Sequence, residues 1–132
     1  MRDSKDYKLL DNIAVADVQG KVAHVDDFRN AVLNVSTGNS GSMTIKIAGS
    51  IQDTPPDITA AQSPTNAYDF VQVIDLNSGA SVNGDTGIVL NGAANESRNL
   101  EVNINGMRWL TAIVDSYTAG NADVTIRLFN NQ

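Results

Sequence analysis

A single histidine, His24, and the absence of cysteine limit the chemistry open to this 132-residue chain. Without thiols there is no disulfide, thiolate nucleophile, iron–sulfur cluster or cysteine zinc site, and one imidazole cannot build a histidine-rich metal centre. A Ser–His–Asp triad would need His24 beside a nucleophile elbow. The nearest pattern, Gly38-Asn39-Ser40-Gly41-Ser42, fails at its last position, where Gly-x-Ser-x-Gly requires glycine. Glu96 and Glu101 are the only glutamates beside thirteen aspartates, and no spacing selects a carboxylate pair for glycoside cleavage. Asp53 with Asp57, or Asn83 with Asp85, are loop oxygens within reach of calcium chemistry, yet no EF-hand loop is present. Walker and dinucleotide glycine patterns are missing as well. The chain therefore reads as no enzyme, with no catalytic residue, no cofactor and no metal.

What remains is a protein of surfaces, and its strands decide which surfaces those are. Leu100, Val102 and Ile104 alternate with Glu101, Asn103 and Asn105, the period-2 mark of a strand with one buried face. Trp109 to Val114 reads as a second strand, Ser116 to Asp123 as a polar loop around Gly120, and Val124, Ile126 and Leu128 alternate again. Earlier in the chain, Phe28 to Val35 and Met43 to Ile47 flank the turn cluster Thr37 to Ser42, which suggests a second hairpin. Gly49 to Ala67 holds all three prolines and predicts a long irregular connection with an edge strand near Asp57–Ala60. Tyr68 to Leu76 predicts a strand, and Ile88 to Leu90 a short buried one. About eight strands separated by turn signals predict an all-β fold, a single antiparallel β-sandwich of jelly-roll type. Residues 1–12, with alternating charges around Tyr7, Leu9 and Leu10, predict an extended N-terminal arm, and 13–132 the sandwich domain. A disordered terminus is the plainer alternative for the arm.

Composition narrows the partners. From Ile47 to Ser97 there is no Lys or Arg, and the six acids there account for the whole net charge of −6. An acidic surface argues against nucleic acid, whose phosphates require cations. It reads either as a solubilising face or as a surface for docking onto a basic partner. No run approaches a membrane span or a signal peptide, so a soluble protein without membrane contact is expected.

The candidate contact residues come from pairing the last two strands as a hairpin. With Val114 opposite Val124, Ala112 meets Ile126 and Leu110 meets Leu128 on the core face. The other face then gathers Trp109 with Phe129, Thr111 with Arg127 and Ile113 with Thr125, with Arg127 able to lie over a ring. Tyr7, Leu9 and Leu10 of the arm and Trp109, Ile113, Arg127 and Phe129 are thus the candidate contacts with a neighbouring subunit or partner. The competing reading is that a loop covers Trp109 within the monomer, and a one-residue slip would exchange the two faces.

Two segments resemble the small β-sandwich structural proteins of tailed-bacteriophage virions, including capsid decoration (cement) proteins. One runs from Gly20-Lys21-Val22 through Val25-Asp26-Asp27-Phe28-Arg29-Asn30-Ala31-Val32-Leu33 to Met43-Thr44-Ile45-Lys46-Ile47. The other is Ile104-Asn105-Gly106-Met107-Arg108-Trp109-Leu110-Thr111-Ala112, then Gly120 and Val124-Thr125-Ile126-Arg127-Leu128-Phe129. The resemblance implies a non-enzymatic virion protein that decorates the capsid exterior, made in the host cytoplasm. It implies the major capsid protein as partner and a homo-oligomer, a trimer by preference. A tail or baseplate component is the alternative within the same fold. A carbohydrate-binding module using Trp109 and Tyr117 as stacking platforms comes third.

Overall fold

The computed structural model describes residues 4–130. Among them there are nine strands and no helix: β1 (Ser4–Ile13), β2 (Ala23–His24), β3 (Asn30–Ser50), β4 (Asp69–Phe70), β5 (Val73–Asp75), β6 (Ser81–Val82), β7 (Ile88–Asn91), β8 (Glu96–Val102) and β9 (Trp109–Phe129). All pairings are antiparallel and all strands belong to one sheet, which does not close into a barrel.

The two expected hairpins do not form. Each is instead one 21-residue strand, β3 or β9, and the two pair with each other along their whole length, from Asn30 opposite Phe129 to Ser50 opposite Trp109. Val114 therefore faces Ile45, and Val124 faces Val35. The polar clusters read as turns are bulged bends in continuous strands. Between Gly38–Asn121 and Ser42–Ala119 the register shifts, with Asn39 and Ser40 in left-handed conformation at φ 54° and 55°. Three residues of β3 stand there against one of β9, and extra residues of this kind bend and twist a strand without ending it. Gly120, at φ 78°, lies so close to Gly41 that a Cβ would stand 2.4 Å from the Gly41 Cα.

The bends fold the sheet on itself around one core. Beside the first half of β3 lies β8, followed by β5 and β6, and beside the second half lie β7 and β4. The outer edge of β9 carries β1 on its second half and β2 on its first. Alternate residues of β3 (Ala31, Leu33, Val35, then Met43, Ile45, Ile47) and of β9 (Leu110, Ala112, Val114, then Ala122, Val124, Ile126, Leu128) fill the same hydrophobic cluster. The core set expected from alternation is therefore buried, although its pairing differs.

The predicted strand Tyr68–Leu76 is split, because the chain passes from one half of the sheet to the other. Phe70 pairs with Ala48 on β3, and Val73 pairs with Val102 on β8. Asp57–Ala60 forms turns and no edge strand. The alternating run that begins at Leu100 belongs to a strand that starts earlier, at Glu96.

The N-terminal segment is extended, but it lies in the sheet as β1, with Ser4 opposite Phe129 and Tyr7 opposite Ile126. A register shift between Lys8 and Leu10 turns Leu9 and Leu10 both inward, each 1% exposed. Lys21 donates its amide to the Leu9 carbonyl at 2.8 Å. The first three residues of the expected arm lie outside the described part.

Where β5 meets β8, Arg98 reaches Asp75 at 3.1 Å and also donates to the Val89 carbonyl. The Asn77 amide, with help from Arg98, holds the Asp75 carboxyl below its ordinary value of 3.8. A carboxylate depressed in the folded state adds stability that is fully present above that ordinary value and is lost as pH falls through the folded one. Asp75→Asn keeps an acceptor for the turn but removes the charge. It should therefore flatten the acid limb of a stability-against-pH curve below about pH 4 while changing the limb above pH 5 little in slope. Urea titrations at stepped pH check this, and an unaltered acid limb would contradict it.

Candidate functional site

The face of β9 expected to meet a neighbour is reached first at its Trp109 end. Trp109 stands between Ser50 of β3 and His24 of β2. Its indole N–H donates to the Gln52 carbonyl at 2.9 Å, and its ring lies 4.9 Å from the His24 ring, tilted by 47°. Two residues on, Thr111 is fully buried, and its hydroxyl donates to the Lys21 carbonyl. Ile113 closes a second apolar cluster with Ala48 and Ile58, against which Tyr68 and Phe70 pack edge to face. The irregular segment after β3 thus folds back over β9. Ile113 is interior, Trp109 is half-buried, and neither forms an open contact face.

One residue that the sequence did not single out holds this cover in place. Gln19 donates its side-chain amide to the Pro56 carbonyl and accepts from the Ile58 amide, at 3.1 and 2.7 Å, tying the loop before β2 to the proline segment. No spacing or periodicity marks such a glutamine. Gln19→Ala removes both bonds at a cost of about 1–2 kcal/mol. Trp109 is the sole tryptophan, so a red shift of its emission, together with faster hydrogen exchange at Ile58, reports the loosened cover. Unchanged emission and exchange would show that the loops hold without it.

The cover presents its own surface. Ile51 is 70% exposed, and with Gly49, Ala67, Tyr68, Val71 and Met107 it lines an apolar groove of about 400 Å³. Asp69 sits on the same groove. Nearby Asp53 binds Arg108 at 2.7 Å, so it is not free to join Asp57 around a cation. Asp57 is engaged by the hydroxyl and amide of Thr59, which hold its carboxyl below the ordinary range. Asn83 accepts from the Asp85 amide within its own turn.

At the far end of β9 lie the remaining candidates. Phe129 is half-buried opposite Ser4 and Asn30, a full strand length from Trp109. Arg127 is exposed and pairs with Asp6 at 3.3 Å; it covers no ring. Lysines supply the cation–π contacts: Lys5 and Lys21 over Tyr7 at 4.9 and 6.0 Å, and Lys46 over Phe70 at 5.1 Å. Tyr7 is half-buried, and Leu9 and Leu10 pack into the core of their own chain, which corrects the expectation that they reach a neighbour. Of the seven candidate contacts, the structure leaves Arg127 well exposed and Tyr7, Trp109 and Phe129 partly so. Tyr117, considered as a stacking platform, is half-buried with its hydroxyl on the Gly120 carbonyl.

No family model matches the chain, and no curated protein does. Among solved structures the chain is similar to the SPBc2 prophage-derived protein YomS, with a TM-score of 0.67 and 14% sequence identity. The match covers 96% of this chain and 92% of that one. The likeness is one of fold.

Proposed function

We propose that this chain is a non-enzymatic structural protein of a tailed-phage virion that decorates the capsid exterior and stabilises it by bridging capsid subunits. The observation that carries the reading is the fold shared, over nearly the whole of both chains, with a prophage-derived protein. The surface supports it. The groove beside Ile51 is an apolar patch on a segment without a single Lys or Arg, suited to a partner that offers an apolar side chain among basic ones. A contact of this size is weak alone, and repetition over a symmetric lattice multiplies it. The major capsid protein is the partner in this reading, and the chain acts as a homotrimer.

Two measurements test the proposal. Light scattering should give three times the 14.0 kDa chain mass. In fractionated phage, antibody to the chain should mark heads. A monomer in solution would remove the trimer, and recovery with tails alone would transfer the chain to the tail or baseplate.

A further inference from the structure

Among the described arginines, all but one are engaged inside the chain. Arg98 holds Asp75, Arg108 holds Asp53 and Arg127 holds Asp6. Arg29, immediately before β3, has no such partner, and it lines a groove of about 370 Å³ between the start of β3, β5 and the end of β8. Glu101 lines the same groove, also without an ion pair, and so do the side-chain amides of Asn30 and Gln72, free of hydrogen bonds within the chain. Asn103 accepts the Asn105 amide through its oxygen at 3.0 Å, which fixes its orientation and leaves its NH₂ group to the groove. Ile74, with Ala31 and Val102, adds an apolar wall.

The composition of this groove selects its ligand. One guanidinium and one carboxylate cancel, so there is no field to attract a polyanion such as nucleic acid, which needs several cations. A single carboxylate falls short of the oxygen set a calcium ion requires. Side-chain amides offer both donors and acceptors. Set beside an apolar wall, they match a molecule that carries hydroxyls around its rim and C–H groups on its faces. The volume lies within the roughly 300–1,000 Å³ of small-molecule sites. We propose that this groove binds an uncharged saccharide, with Asn30, Gln72, Asn103, Arg29 and Glu101 hydrogen-bonding its hydroxyls and Ile74 meeting its C–H face. The two grooves share no lining residue but adjoin where Val71 passes to Gln72 and Asn105 to Met107, so variants confined to one groove separate the two readings: Ile51→Asp for the capsid groove, Asn30→Ala for this one.

The test is a ¹H–¹⁵N titration of the intact protein with neutral tetrasaccharides of glucose, mannose, galactose and N-acetylglucosamine, and with oligogalacturonate as an anionic comparison. At least one neutral probe should bind with Kd near or below about 1 mM. It should shift the side-chain amides of Asn30, Gln72 and Asn103 and leave Gln52 and Gln62 unmoved. Asn30→Ala and Gln72→Ala, both at exposed positions that leave the core intact, should each weaken it about five- to tenfold, the worth of one or two hydrogen bonds. Absence of shifts with every neutral probe would overturn the proposal. So would tighter binding of the oligogalacturonate, or binding that both variants retain in full.

Discussion

Gly120→Ala should cost about 4 kcal/mol or more, whereas Gly79→Ala should cost only about 1–2 kcal/mol. The two glycines have nearly the same backbone conformation, φ 78° and 76°, so the left-handed penalty for a Cβ is shared. Their surroundings differ. Nothing lies within 4 Å of a Cβ at Gly79, while at Gly120 it would meet the Cα and amide nitrogen of Gly41 and the carbonyl of Gly38. Those are backbone atoms of the paired strand, so relief requires β3 and β9 to separate at the bend. Urea unfolding of the two variants measures the difference. Were Gly120 the tip of an independent hairpin loop, the two substitutions would cost the same, and that outcome would dismiss the continuous-strand architecture.

Truncating the N-terminal pair is the second large effect. Leu9→Ala and Leu10→Ala should each lose about 2–5 kcal/mol, the range for large buried side chains whose cavities only partly collapse. Because both side chains pack in their own chain, the loss should not vary with protein concentration. An arm that docked on a neighbour would behave differently: its truncation would spare the isolated chain and change stability only as subunits dissociate. Equilibrium unfolding across a hundredfold range of concentration separates the two. A loss below about 0.5 kcal/mol in both variants, the ordinary range for surface substitutions, would return Leu9 and Leu10 to an assembly role.

The alternation of apolar and polar residues revealed which side chains are buried, and it did so correctly at Leu110, Ala112, Val114, Val124, Ile126 and Leu128. It did not reveal what they pair with. A cluster such as Thr37 to Ser42 has the same local composition whether the chain reverses there or merely bends, and only the partner strand decides. The clue was non-local: two segments of matched length, each with glycine near its middle, fit each other as well as each fits itself. Leu9 and Leu10 escaped a period-2 reading because a bulge interrupts the period between them and Lys8. Alternation puts Trp109 and Ile113 on the face away from the core, and the structure covers them with a proline segment that has no periodicity of its own. Ile51, the residue after β3 and four before Pro55, carries no signal beyond being apolar. Its prominence depends on how that segment folds back.

The central claim, attachment to a phage capsid through the surface beside Ile51, is tested most directly by co-sedimentation with undecorated capsids. Wild-type protein at micromolar concentration should pellet with the capsids and raise their disruption temperature. Ile51→Asp, at a position open enough to leave the fold intact, should fail to do either. Wild-type protein left in the supernatant, or an Ile51→Asp variant that binds as well as wild type, would contradict the account.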